Sequence, residues 1–260
     1  MKLRELLSKI EKRLPKCWAE DWDNPGLAVG AYSEEISQIA VALDANEKTV
    51  TSAVNIGAQL LITHHPLIFK PLKSLTFNDS VSRTIALAVK KDLAIYSVHT
   101  NWDSSPEGVN KILADALGLQ AIHPLLPSGK HDGSWGIGAV GSFLNPVNIE
   151  ECLKIMRERW RIEPLSAYIN SDSVTKVAVG GGACGDMWYE ALQAGSQLFI
   201  TSDISYHQRQ DALTEGLSLI ITDHGETERL SLPYLANIIE AETGLGTTVL
   251  HEVMTYKKII

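Results

Sequence analysis

Cysteine is scarce in this 260-residue chain: Cys17, Cys152 and Cys184 are odd in number, widely spaced and in no Cys-x-x-Cys pair. That excludes a disulfide framework and a thiolate zinc site, and leaves reduced, structural thiols. Long apolar runs are also missing. No stretch reaches the roughly 18 residues of a membrane span, and Met1-Lys2-Leu3-Arg4-Glu5 reads as a charged helix start rather than a signal peptide. A cytoplasmic protein without membrane partners is expected. Clustered base is the third absence. With a net charge of -8, a pI near 5.5 and only short basic runs such as Lys90-Lys91 and Lys257-Lys258, the chain gives no electrostatic case for binding duplex nucleic acid. A local basic pocket for a small phosphate stays open.

What the chain does have is enough apolar content, 45% hydrophobic, for one large core or two modest ones. Leu3, Leu6, Leu7, Ile10 and Leu14 fall at helical spacing before Pro15. Strands at about 36–43, 58–63 and 93–98 alternate with helices at about 46–57 and 79–91, an α/β pattern. Ser105-Pro106 is expected to open a helix to Leu117, with Gly118 as its stop. Residues 119–133 read as a linker, followed by a strand near 134–142, a helix opened by Asn145-Pro146, a helix over about 226–243 and a strand over 247–253. Residues 39–63 align without a gap on 177–201 at an offset of 138, with nine of 25 positions identical, Gly57/Gly195 and Gln59/Gln197 among them. The match marks a duplicated strand-helix-strand unit and a division into halves at 1–125 and 126–260.

Three apolar strands end in imidazole and carboxylate. Leu60-Leu61-Ile62-Thr63 runs into His64-His65; the strand through Val98 runs into His99 and Asp103; the strand through Thr222 runs into Asp223-His224 and Glu228. Nitrogen and oxygen donors of this kind hold zinc, iron or manganese, and α/β sheets assemble sites at the C-terminal ends of their strands. Adjacent histidines on an extended chain point to opposite sides, so His64 and His65 suit two neighbouring ions better than one. By their residue types alone they are equally a histidine pair in a loop before proline. Glu228 lies four residues after His224 and shares its face if the segment is helical, which makes it the candidate bridging carboxylate; a solvated surface pair has the same spacing. His99 is assigned to proton transfer or to support of a ligand, against the alternative of a histidine satisfied by backbone. His207 is a weaker candidate for substrate contact, and His123, His131 and His251 read as structural or surface residues. Gly180-Gly181-Gly182-Ala183-Cys184-Gly185 could offer free amides to a phosphate, or could serve a tight turn and close packing.

The chain resembles the Nif-three-like dinuclear metal-centre family, whose bacterial members are labelled GTP cyclohydrolase I type 2 homologues. The residues that carry the resemblance are Glu20-Asp21-Trp22-Asp23-Asn24-Pro25-Gly26-Leu27, Leu43-Asp44, Ile62 to Phe69, Tyr96 to Asp103, Gly180-Gly181-Gly182, Ile200 to His207, and His224 with Glu228. The resemblance implies a fold of two topologically similar α/β halves with mixed β-sheets, as one continuous family domain without the insert of longer members. It implies two divalent ions per chain (Zn, Fe or Mn), one on His65, Asp103 and Glu228 and the other on His64, His224 and Glu228. It implies a homohexamer built as a trimer of dimers. Asp223 and Ser202 depart from the family pattern, which has glycine at both places; Asp223 stands either as an acceptor to His224 or as a modifier of metal preference. The expected activity is a metal-dependent hydrolase acting on a nucleotide-like substrate, of GTP cyclohydrolase type. A phosphoesterase at the same centre and a non-catalytic metal-binding protein are the alternatives.

Overall fold

A computed structural model describes residues 1–32, 34–129, 134 and 136–251. His131, Trp135 and the end of the strand expected over 247–253 lie outside the described residues. The chain packs as two compact units, Met1–Asn101 with Leu232–Ile260, and Trp102–Ser231. This differs from the division at residue 125 read from the sequence. For the C-terminal segment the cause is the last strand, Gly246–Val249, which pairs in parallel with Gln38–Ala42 and returns that segment to the first unit.

In the first unit a five-stranded sheet has the order Gly26–Val29, Ala94–Ser97, Leu60–Thr63, Gln38–Ala42, Gly246–Val249. The last four are parallel, and the edge strand Gly26–Val29 is antiparallel. Every residue of Leu60–Thr63 and of Ala94–Ser97 is buried. Strands covered on both faces need no alternation, which is why both read as continuous apolar runs. The helices Glu47–Asn55 and Ser80–Lys90 are capped by Asn46 and Asp79, whose side chains accept from backbone amides of the first turn. Val50, Ala53, Ile85 and Ala88 from these helices pack with Ala40, Leu61 and Ile95 of the sheet.

The second unit has a six-stranded sheet in the order Gln120–His123, Ala139–Asn148, Ser173–Val179, Leu198–Thr201, Ser218–Ile221, Ser166–Tyr168. Its three central strands, Ser173–Val179, Leu198–Thr201 and Ser218–Ile221, are parallel, and the others pair antiparallel. Trp160 is buried and its indole N–H donates to the Leu113 carbonyl at 3.2 Å, while Trp188 packs half-buried against the core. Three local expectations shift. The helix expected from Ser105 starts at Val109, because Ser105–Gly108 forms a turn closed by Gly108 N–H to Ser105 O (3.0 Å). Asn145-Pro146 lies inside the strand Ala139–Asn148, and the helix opens at Ile149 on the Asn148 cap. The helix over 226–243 is two, His224–Arg229 and Leu232–Thr243.

The duplication is written into the backbone. Ile39 pairs with Leu60 as Val177 pairs with Leu198, the same register at the same offset. The Gln59 side-chain oxygen accepts from the Ser37 and Gln38 amides, and Gln197 accepts from Thr175 and Lys176. Gly57 and Gly195 both take positive φ, +77° and +74°, which explains their identity at the turn into the strand. In the following strand Val98 N–H donates to Thr63 O and Thr222 N–H to Thr201 O. His99 is therefore the counterpart of Asp223, and the two His-x-x-x-acid motifs are offset by one residue.

Cys152 and Cys184 are buried and Cys17 is exposed. Burial pushes the Cys152 thiol up to about 12 and raises Cys184 further, the Asp103, Asp186 and Glu228 charges adding to the effect. Iodoacetamide is expected to label Cys17 alone in the folded protein and all three thiols after denaturation, as read by intact mass. Labelling of two or more thiols without denaturant would contradict this.

Candidate metal centre

In the first unit His64 and His65 lie in a bend just past Thr63. Their amides still donate to Ala42 O (3.1 Å) and Leu43 O (2.9 Å), and the Thr63 hydroxyl donates to the His65 carbonyl (2.8 Å), so the bend is held at three points. Strand alternation ends at Thr63, and the two rings stand 5.0 Å apart between centroids instead of on opposite faces. With His99 they form a group in which one ring nitrogen from each lies within 4.8 Å of the other two, an arrangement that could hold a metal ion. His64 is fully buried, and His65 and His99 are half-buried.

Each of these imidazoles is held through Nδ1. His65 Nδ1 lies 2.7 Å from Asp44 Oδ1, His99 Nδ1 lies 2.8 Å from Asp23 Oδ1, and His64 Nδ1 lies 3.1 Å from the Val98 carbonyl. An acceptor at Nδ1 selects the tautomer with its proton there and puts the lone pair on Nε2, the arrangement used by metal-ligating histidines. Asp23 also accepts from the Thr100 amide (3.0 Å) and hydroxyl (2.6 Å). Burial works to raise its pKa, but these bonds and the His99 charge outweigh it and hold the carboxyl at about 2.

In the second unit the helix His224–Arg229 puts Glu228 one turn beyond His224, with Glu228 Oε1 3.0 Å from His224 Nε2. Glu228 is buried, 3% exposed. His224 Nδ1 lies 2.6 Å from Asp203 Oδ2. Asp223 does not hold the histidine: its side chain caps the helix, accepting from the Glu226 amide. Asp103, at the end of the short helix Thr100–Asp103, lies close enough to Cys184 for its charge to act there, as Glu228 does. The Ser202 hydroxyl donates to the Gly182 carbonyl and ties the glycine turn to the strand end.

The first three amides of the glycine run are already engaged within the protein. The amides of Gly180, Gly181 and Gly182 donate to Ile200 O (2.9 Å), Asn110 Oδ1 (3.0 Å) and Thr227 Oγ1 (3.0 Å). What the turn needs is the missing side chain: a Cβ at Gly182 would stand 2.4 Å from Glu228 Oε1. His207 is exposed with its ring against Tyr206, His123 contacts the Pro124 carbonyl through Nδ1, and His251 is exposed; none belongs to a metal-holding group among the described residues. Sequence reasoning left Asp23, Asp44 and Asp203 without a role. The available signal was position: Asp44 and Asp203 each lie within two residues of the end of a central parallel strand.

The hydrogen bond that His224 donates to Glu228 pushes its pKa up to about 9; burial opposes it, and the charges of Glu228 and Asp203 add to it. His224 in the folded, metal-free protein thus keeps its proton well above the ordinary 6.5. Its contribution to stability is fully present below about 6.5 and is lost as pH rises through about 9. Urea unfolding of chelated protein is expected to show this decline between those values, and His224→Gln should flatten it. An equal decline in the variant would assign the effect elsewhere.

Fold and site together define an α/β protein with two large mixed sheets, carboxylate-held histidines at strand ends and a histidine group able to hold a metal ion. The chain belongs to the Duf34/NIF3 (NGG1p interacting factor 3) family, whose sequence model matches residues 1–258. It is 31% identical over 229 residues to a GTP cyclohydrolase 1 type 2 homolog of Clostridium perfringens, covering 88% of this chain and 87% of the relative. A protein of the same name from Streptomyces coelicolor is 31% identical over 232 residues, covering 87% and 81%. Among solved structures, the NIF3-related protein of Bacillus cereus superposes with a TM-score of 0.90 at 21% identity, over 100% of this chain and 99% of that one. The fold of two similar α/β halves with mixed sheets is thereby shown.

Proposed function

We propose that this protein is a dinuclear metal-dependent hydrolase of a nucleotide-like substrate, with His64, His65, Asp103, His224 and Glu228 as ligands and His99 as the proton-transfer residue. The observation that carries the reading is the common treatment of four imidazoles. Each has its Nδ1 within 3.1 Å of an oxygen acceptor, the way metal-ligating histidines are oriented, and His224 Nε2 faces the Glu228 carboxylate at 3.0 Å. Nitrogen and oxygen donors without thiolate fit zinc, iron or manganese. When bound, two such ions supply Lewis acidity and lower the pKa of water.

The chain's own residues do the rest. Asp44 and Asp203 orient His65 and His224, and Asp23 orients His99 so that its Nε2 can take and return a proton. Glu228 contributes a carboxylate that can bridge two cations. The names of the relatives point to GTP as a substrate class. A homohexamer working in the cytoplasm is part of the same proposal, and no described helix is long and apolar enough to cross a membrane.

Elemental analysis of protein purified without chelator is expected to give about two transition-metal ions per chain. Light scattering is expected to give a mass near six times 28.5 kDa. A screen of nucleotides and phosphoesters at that metal load is expected to show formate release from GTP. Phosphate release instead would assign a phosphoesterase, and stoichiometric metal with no turnover would assign a non-catalytic metal-binding protein.

A further inference from the structure

We propose that Trp22 and Phe69 form a stacking subsite for a flat heteroaromatic ring of nucleobase type, beside His99. Trp22 is 60% exposed and Phe69 46% exposed. The hydrophobic effect normally takes large aromatic rings out of water, so two neighbouring exposed ones mark a surface suited to binding. The Asp23 side chain is fully buried, where it accepts from His99 Nδ1 and from the Thr100 amide and hydroxyl. On the other side Asn24 Nδ2 donates to the Ile68 carbonyl at 2.6 Å, fastening the tryptophan turn to the residue before Phe69. Before it the Glu20 amide donates to Thr100 Oγ1 at 2.9 Å, so Trp22 sits in a turn pinned on both sides, and ordering it on binding costs little entropy.

The rings near it are arranged as the walls of a corner. Trp22 and Phe69 are 5.9 Å apart at 63°, Trp22 and His99 6.1 Å at 77°, and Phe69 and His99 6.3 Å at 85°. Near-perpendicular rings at these distances make the edge-to-face contacts that aromatic groups prefer, and a further flat ring extends the same network. Two walls are apolar and exposed, and the third is the imidazole assigned to proton transfer. A ring stacked on the tryptophan therefore has its edge toward a group that exchanges protons. Aromatic walls of this kind read ring shape and π-face, and are indifferent to sugar and phosphate.

The inference deepens the hydrolase reading by naming the residues that receive the base of its substrate, and it rests on that reading for the role of His99. Isothermal titration calorimetry of the protein as purified, with guanosine 5′-monophosphate and ribose 5-phosphate as probes, tests it. The base-containing ligand is expected to bind at least about tenfold more tightly. Trp22→Leu should weaken that ligand by roughly tenfold and leave ribose 5-phosphate unchanged, with Trp22→Phe recovering most of the loss. Phe69→Leu, a second and independent variant, should act in the same direction. Equal binding of the two probes, or no effect of both leucine variants, would overturn the subsite. A change of assembly mass in Trp22→Leu would overturn it too, because the ring would then be covering a subunit contact. Metal content measured on the same wild-type sample separates the two proposals: base-selective, Trp22-dependent binding without metal leaves the subsite standing and sinks the hydrolase, and two ions without base preference does the reverse.

Discussion

Replacing Glu228 with Gln is expected to cost both metal ions rather than one. Glu228 is 3% exposed and its Oε1 lies 3.0 Å from His224 Nε2, so its charge is held in a dry environment where it is poorly screened. The amide keeps the size and loses the charge. If the carboxylate serves two cations, each loses its anionic partner, and metal per chain should fall from about two toward zero after dialysis. The same substitution removes the largest influence on His224, whose pKa of about 9 should drop toward its ordinary value in chelated protein. NMR titration of the histidine resonances reads that directly. Retention of one ion would move the bridge to another residue, and an unmoved His224 titration would mean that the hydrogen bond does not hold in solution.

Gly182→Ala is expected to cost metal by adding only a methyl group. Its Cβ would stand 2.4 Å from Glu228 Oε1 and 3.5 Å from His224 Nε2, and Gly182 adopts φ +68°, where a side chain costs about 1–2 kcal/mol. Either the carboxylate moves or the turn does, and the Ser202 and Thr227 hydrogen bonds that hold the turn oppose the second. Gly195→Ala is the matching control, because Gly195 has φ +74° and nothing within 4 Å of the added atom. Both variants should melt lower by several degrees. Only Gly182→Ala should also lose metal. Equal metal content in the two would show that Glu228 tolerates displacement and is not a ligand.

Much of this architecture is legible in the residues because the central strands are buried on both faces. Leu60–Thr63, Ala94–Ser97, Leu198–Thr201 and Ser218–Ile221 read as short apolar runs, and chemistry collects where such runs stop. The duplication was visible for the same reason: Gln59 and Gln197 each serve two backbone amides, so the residue type is tied to a backbone geometry. Less legible were segments whose structure depends on distant partners. Asn145-Pro146 has the composition of a helix start and lies in a strand, because backbone pairing of Ala139–Asn148 with Ser173–Val179 overrides local preference.

The sequence by itself determined the α/β class, the repeated strand-helix-strand unit, the histidines at the strand ends and the family, since each rests on local pattern and on residue types next to one another in the chain. Only the tertiary structure decided which carboxylates matter. Asp23 reaches His99 across 76 residues, and Asp44 and Asp203 each reach a histidine across 21. It also decided that Asp203 and not Asp223 holds His224, that the glycine run is spent on close approach to Glu228, and that the last strand returns to the first sheet. Aspartates occur throughout a sequence with 31 acidic residues, and what separates a ligand-orienting one from a solvated one is its distance from an imidazole, a property that arises only when the chain has folded.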